Sequence, residues 1–511
     1  MSFIDWLTNV NGEINEFVWV TLGLALLIFT GVLMTCLTKF FQVVHIGHWF
    51  KKTLGSLFTK KVSGHTKDKA TISQFQALCT ALAATVGVGN IAGVAAAIVG
   101  GGPGAVFWMW VAAFFGMMTN YSENVLGIYY RRKVNGEWAG GAMYYLRDGM
   151  GKKKGFGIIS KVLAVLFACF AVLASFGIGN MGQVNKIVAN LESAFDIPAL
   201  SGQVLYGEVS LYSVIIGIVL MILVAVIVIG GLKRIANVAE KIVPMMIVLF
   251  VLGSFVIIGL NYANIGSAFS AIFRTAFTAE AAWGAVGGLT IKAIVTQGFK
   301  RGVFSNEAGL GSSVMVHSNS NVKEPVRQGM WGIFEVFVDT MVVCTMTALV
   351  VLTSGVIDLN TGNTYGVEDA TLVAKAFENT YGSIGEMFVA LAILLFAFTT
   401  VLGWSQYGSK AVEYLGGKHS ETAKKVYKIF FVLLIMSGVL LTNSLAWDIS
   451  DTFNGLMMIP NLIGVLFLSG TVCKITKNYV DRKIKHKDVK PMLSYDPRIQ
   501  AQMEAALEKD N

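Results

Sequence analysis

The groups in this chain best placed to do chemistry belong to its backbone. In the run Leu82-Ala83-Ala84-Thr85-Val86-Gly87-Val88-Gly89-Asn90-Ile91-Ala92-Gly93, two glycines bracket a valine and precede an asparagine, midway along an apolar stretch. Glycine admits backbone angles that a helix interior forbids, so a helix can break there. A break leaves unpaired N–H groups on one half-helix and unpaired C=O groups on the other. The first set suits an anion such as a carboxylate, and the second a desolvated cation such as Na⁺. The competing reading is that the glycines only permit close helix packing. A similar feature, Trp283-Gly284-Ala285-Val286-Gly287-Gly288-Leu289-Thr290, predicts a discontinuity somewhere between Gly284 and Gln297.

Polar side chains inside apolar runs form the second group. Thr399 and Thr400 are adjacent, and their hydroxyls can serve a cation or bond their own preceding-turn carbonyls. Asn180 and Gln183 are expected near the outer end of a cavity, where either binds an ammonium group, forms a gate or makes an interhelical hydrogen bond. Glu123, Lys292, Glu335 and Asp339 are ionisable groups at membrane depth, which are costly and usually meaningful. Lys292 is expected to pair with Asp339 or Glu335, either as part of an inner gate or as a static packing pair. The five cysteines read as small buried hydrophobes, and all six histidines lie in segments expected on the cytoplasmic side, which argues against a membrane His relay.

The elements that must position these residues follow from composition. Of 511 residues, 54% are hydrophobic and only 14% charged, against roughly 25% charged in a soluble domain. Glycine is abundant at 55 residues while proline is 7, so the glycines belong to folded segments. Eleven apolar runs approach the roughly 20 residues needed to cross a bilayer: 17–38, 70–99, 105–129, 162–181, 211–229, 242–260, 281–298, 330–351, 388–404, 426–445 and 453–472. Backbone groups in lipid must be paired internally, so these are helices of a polytopic membrane protein. With the N-terminus outside, 36 of the 40 Lys and Arg fall on the cytoplasmic side, Lys300 and Arg301 being counted there in a loop. The net charge of +9 is thereby read as topogenic, and no nucleic acid partner is required. Residues 42–58 read as an interfacial amphipathic helix. Five helices in each half make the second half inverted relative to the first, the arrangement expected of a transporter with a midplane site.

Two longer runs carry a family resemblance. Gly101-Gly102-Pro103-Gly104-Ala105-Val106-Phe107-Trp108-Met109-Trp110-Val111-Ala112 resembles the signature of the alanine or glycine:cation symporter family (sodium:alanine symporters). Gln297-Gly298-Phe299-Lys300-Arg301-Gly302-Val303-Phe304-Ser305-Asn306-Glu307-Ala308-Gly309-Leu310-Gly311 is similar to its second hallmark. The resemblance spans about Phe17 to Lys477. It implies a leucine-transporter-type fold: a single all-α membrane domain over 1–511, with an accessory helix at 17–38, inverted repeats at 70–262 and 263–477, and a cytoplasmic tail at 478–511. It also implies Na⁺-coupled uptake, by alternating access, of small neutral amino acids such as alanine or glycine, D-alanine included, across the inner or plasma membrane.

By that resemblance the Val88 and Gly89 N–H groups hold the substrate carboxylate, with Thr85, Gly87 and Asn90 in the same cavity. Phe176, Gln183, Thr290, Ile294, Thr400 and Trp404 complete the expected substrate set. Carbonyls of Ala83, Val86 and Phe396 with the hydroxyls of Thr399 and Thr400 make an all-oxygen Na⁺ site, as a hard cation requires. No cofactor beyond the coupling ion is expected, and the partners are substrate, Na⁺ and membrane lipid, with no obligate protein partner evident. H⁺ coupling, a multi-helix channel and a membrane enzyme are the alternatives; the last needs a catalytic cluster that the sequence does not display.

Overall fold

The computed structural model describes residues 3–57, 59, 62, 71–207, 209–278, 290–367, 371–440 and 444–508. Among them, six helices are long and apolar enough to cross a membrane, or seven if one pair bent by 59° is a single span. Several turn strongly apolar faces outward; on Leu211–Ile229, for example, Ile218, Ile222, Val226 and Ile229 are all exposed, as lipid contact requires.

After Phe3–Glu16 and a π-helical turn, α1 (Gly23–Leu37) runs against α4 (Gly104–Tyr129). The expected amphipathic helix is two short pieces, Phe41–Val44 and Ile46–Lys52, with Trp49 buried and Val44 and Ile46 exposed. The second span is broken, as α2 (Gln74–Thr85) and α3 (Ala92–Gly101). A capping box starts α2: the Ser73 hydroxyl accepts from the Gln76 N–H, and the Gln76 side chain accepts from the Ser73 N–H, both at 3.1 Å.

Next come α5 (Gly157–Phe176) and α6 (Gly182–Ala194), joined without interruption by a π-helical stretch at Gly177–Met181. The fourth span therefore does not end near Gln183, and Asn180 and Gln183 sit well inside a longer helix. Helices α7 (Leu211–Ile229) and α8 (Gly231–Leu260) follow.

In the seventh span, α9 is an uninterrupted helix over Ile291–Asn306. The stretch Gly284–Gly288 lies outside the described residues, and within 291–297 there is no break. The helix stops later, at Glu307 in the left-handed region (φ 54°), followed by Gly309 (φ 96°) and Gly311 (φ 73°), before the short helix Val314–His317. Gly311 could not be replaced without strain, because a Cβ there would also stand 2.6 Å from the Asn461 amide.

The eighth span is α10 (Pro325–Val336), a π-helical stretch at Phe337–Cys344 and α11 (Thr345–Thr353). It is followed by α12 (Ser383–Gly416), α13 (Ser420–Leu440), α14 (Ser444–Phe467) and α15 (Ser469–Lys483). The tail is not a loose segment. Its helix α16 (Pro497–Glu508) and the irregular run before it pack back on the body, with Leu493 buried and Tyr495 N–H donating to Tyr129 O at 3.1 Å.

Candidate functional site

The site is built around the interruption between α2 and α3. The Val86 N–H makes the last helical bond, to Leu82 O at 2.8 Å, and the Gly87 N–H is taken instead by Asn90 Oδ1 at 2.9 Å. That exchange frees the Ala83 carbonyl of its ordinary helical donor. Val88 and Gly89, at the start of the second half, give their N–H groups to no loop or capping partner. The break is held from outside: Asn90 Nδ2 donates to Asp339 Oδ1 at 2.7 Å, and Thr347 Oγ1 donates to Asn90 O at 2.8 Å. Asp339 also accepts from Ser305 Oγ at 2.7 Å and Thr340 Oγ1 at 2.8 Å.

A cavity of about 280 Å³ opens on this interruption. Val88, Gly89 and Gly93 line one wall, Ile178 and Gln183 another, and Phe304 a third. Gln183 Nε2 donates to Ile178 O at 3.0 Å, while its buried Oε1 has no partner. The Thr85 hydroxyl, also buried, is likewise without a partner. The orphaned Gln183 oxygen and the Val88 and Gly89 N–H groups share the cavity wall, one acceptor and two donors that could meet the two charged ends of an amino acid, whereas Thr85 lies behind the wall.

Helix α12 packs closely on α2 and on the break, and none of its residues is on the cavity wall. Gly403 lies so close to α2 that a Cβ there would stand 2.7 Å from Ala84 Cβ, and a Cβ on Gly87 would stand 2.6 Å from Thr400 Oγ1. Thr399 and Thr400 both donate to Phe396 O, at 3.0 and 2.9 Å. These are the bonds to preceding-turn carbonyls that the sequence left as the competing reading; of the two hydroxyls, that of Thr400 faces Gly87 at the end of α2 and keeps lone pairs free, while that of Thr399 lies 3.6 Å from Met246 Sδ. Among the described residues no cluster of His, Cys, Asp and Glu suited to a metal is present.

Other expected residues are placed elsewhere. Phe176 stacks on Tyr427 and meets Phe430 edge-on, at ring-centre distances of 5.4 and 5.2 Å, away from the cavity. Thr290 caps α9, accepting from the Ala293 N–H at 3.2 Å, and Ile294 is buried but absent from the cavity wall. Trp404 packs its indole onto Gly179 and Tyr407. Asn180 donates to Phe431 O at 2.6 Å, an interhelical bond.

The expected Lys292 pairing does not form. Lys292 is exposed in the first turn of α9, whereas Asp339 is occupied as above and Glu335 is bonded to His317 at 2.9 Å and Asn120 at 3.3 Å. The reason is the start of α9 at Ile291, which puts Lys292 at the helix end instead of its middle. Glu123 is buried and bonded to Asn461, which also accepts from the Tyr145 hydroxyl. Cys36 is exposed, unlike the buried Cys79 and Cys344.

Several residues were missed by sequence reasoning. Lys300 and Arg301, counted with a loop, lie inside α9 and line the cavity with Lys186, Asp448 and Asp451. Lys300 Nζ pairs with Asp451 Oδ2 at 3.0 Å, so its charge is met within the bundle. Asp448 and Asp451, three apart on α14, were the available signal. His317 is fully buried, bonded to Glu335 on α10.

A helix bundle with outward apolar faces and a helix broken at a polar cavity are features of a secondary transporter. The chain belongs to the sodium:alanine symporter family, whose profile matches residues 4–493. It is 43% identical over 477 residues to the sodium/alanine symporter AgcS of Methanococcus maripaludis, covering 93% of this chain and 98% of that one. It is 35% identical over 485 residues to the probable sodium/glutamine symporter GlnT of Bacillus subtilis, covering 94% and 92%. The fold is of the leucine-transporter type: MhsT, solved in complex with L-phenylalanine, aligns with a TM-score of 0.54 at 14% identity, over 80% of this chain and 99% of that one. The chain is thus a cation-coupled amino-acid symporter, a multi-pass protein of the cell membrane and not an enzyme.

Proposed function

We propose that this symporter couples Na⁺ to the uptake of small neutral amino acids, with alanine and glycine as first candidates. Eleven spans, N-terminus outside, carry the two inverted repeats around the site. The supporting observation is the break itself: unassigned Val88 and Gly89 N–H groups for the carboxylate, the orphaned Gln183 Oε1 for the ammonium group, and the Thr399, Thr400 and Phe396 oxygens for the ion. Ala83 and Val86 carbonyls at the end of α2 complete the ion's ligand set. Phe304 favours a short side chain, because its ring lies 3.3 Å from where a Cβ on Gly89 would be. The named substrates of relatives support the class: sodium/alanine for AgcS and sodium/glutamine for GlnT.

The test is uptake into proteoliposomes with an inward Na⁺ gradient or an inward H⁺ gradient, over a panel of L and D small amino acids and glutamine. Stimulation by Na⁺ alone, greatest for alanine or glycine, is the expected result. Stimulation by H⁺ without Na⁺ would replace the coupling ion, and preference for glutamine would replace the substrate.

A further inference from the structure

One group of buried ionisable side chains is unused by the site above. His317 ends the short helix Val314–His317, and its Nε2 lies 2.9 Å from Glu335 Oε2 on α10. Its Nδ1 faces the Gln328 amide nitrogen, also on α10. Glu335 accepts in addition from Asn120 of α4, while its second oxygen has no partner. Glu123 of α4, Glu307 at the end of α9 and Asp339 after α10 all lie within electrostatic range of Glu335. Tyr407 of α12 sits among them, its buried hydroxyl unpartnered and electrostatically coupled to Glu307 and Glu335. Among the described residues none of these four carboxylates pairs with a Lys or Arg. Arg131, the buried cation that holds the segment after His317, is engaged by the carbonyls of Ser318, Ser320 and Val322.

Four ionised carboxylates against a single imidazole would leave a large net charge in an apolar interior, so protons must hold part of it down. We propose that the His317–Glu335 pair is a proton-binding site whose occupancy controls how the 318–321 segment grips the foot of α2. In the neutral imidazole, Nε2–H donates to Glu335 and Nδ1 accepts from the Gln328 amide. The Gln328 Oε1 meanwhile accepts from Ser320 Oγ at 2.8 Å. A proton taken from water onto Nδ1 creates a second N–H facing the Gln328 NH₂, and two donors then oppose each other. Turning the amide over relieves this, placing Oε1 on Nδ1–H, and it leaves Ser320 without its acceptor. Ser320 lies between Asn319, whose carbonyl accepts from Ile72 N–H at 3.2 Å, and Asn321, whose N–H donates to Ile72 O at 2.9 Å. Ile72 directly precedes the Ser73 cap of α2. The proton stays on His317, and its presence is felt at the base of the broken helix through the Gln328 amide and the Ser320 hydroxyl.

The transport readout of this proposal rests on the reading of the chain as a symporter; its first readout does not. Full-length protein in lipid nanodiscs, labelled with ¹⁵N in the histidine rings, is titrated from about pH 5 to about pH 8. The His317 signals are those absent in His317→Gln. Expected is a His317 resonance that titrates in this range and whose midpoint moves in Glu335→Gln. A His317 resonance unchanged across the range overturns the proposal, whether or not transport is found. If His317→Gln does not fold, Gln328→Glu identifies the same resonance by displacing it. Where amino-acid counterflow is measurable, its rate in the wild type should vary several-fold over this range and become flat in His317→Gln; a full-strength profile retained in that variant also overturns it.

Discussion

Asn90 ties the broken helix to Asp339 with one amide: its oxygen accepts the Gly87 N–H at 2.9 Å, and its nitrogen donates to the carboxylate at 2.7 Å. The same side chain thus substitutes for a missing helical bond and anchors the interruption to the eighth span. A break of this kind exposes backbone groups only if something outside the helix holds its two halves in place, and here that is a carboxylate already fixed by Ser305 and Thr340.

Asp339→Asn should therefore damage transport more than folding. The amide would set an NH₂ against one of three donors, a mismatch worth about 1–3 kcal/mol. Uptake should fall by about tenfold or more, with the protein still recovered from the membrane at normal yield. The exchange Asn90→Asp with Asp339→Asn should recover part of the loss, since a carboxylate at position 90 can still accept from the Gly87 N–H. Uptake rates and detergent melting curves of the three variants decide this.

Gly87→Ala should be severe and Gly259→Ala harmless. A Cβ at 87 would meet Thr400 Oγ1 at 2.6 Å, whereas nothing lies within 4 Å of one at 259, inside α8. Alanine at 259 should raise stability by up to about 1 kcal/mol through helix propensity. Alanine at 87 should lower substrate affinity by about tenfold or more, as an overpacked contact costs about 1–3 kcal/mol. Equal behaviour of the two in a binding assay would remove the close approach of α2 and α12 from the site.

The parts of this architecture that can be read in the sequence are those set by local chemistry. Gly87, Gly89 and Asn90 announce the break because glycine and a short amide have local consequences. His317 gave no such sign: Ser312 to Ser320 is mostly polar, and its short helix is buried by packing against α4 and α2, with Arg131 binding the carbonyls of Ser318, Ser320 and Val322 behind it. Lys300 and Arg301 looked like the start of a loop because a hydropathy count cannot see Asp451, 151 residues away, meeting Lys300 inside the bundle. Lys292 misled for the opposite reason, since its depth was measured from a helix start at 281 and α9 begins at Ile291.

A nearly buried ion pair adds to the contacts that hold the tail on the body. Arg482 makes a bidentate contact with Glu324, at 2.9 and 2.7 Å, next to the segment that grips Ile72. Both side chains are nearly buried, at 10% and 9% exposure. Arg482→Ala leaves the carboxylate without its partner and should cost about 3 kcal/mol. Arg482→Lys should rescue only part of that, because the ammonium cannot reproduce the forked geometry. Thermal melts of purified protein at low and high salt measure both.

Thr400 separates the ion from the substrate. Its hydroxyl donates to Phe396 O at 2.9 Å and stands opposite Gly87, so it borders both halves of the proposed site. Thr400→Val keeps the shape and removes the oxygen; Thr400→Ser keeps the oxygen and removes a methyl. If the hydroxyl ligates Na⁺, valine should raise the Na⁺ concentration for half-maximal uptake by about tenfold or more, as the loss of one charge-bearing contact of about 1.5–3 kcal/mol predicts. Serine should stay near wild type in Na⁺ dependence while altering the choice among small side chains. A valine variant with unchanged Na⁺ dependence would move the ion away from α12, because neither Thr399 nor the Phe396 carbonyl could then be acting with Thr400 as one oxygen cage.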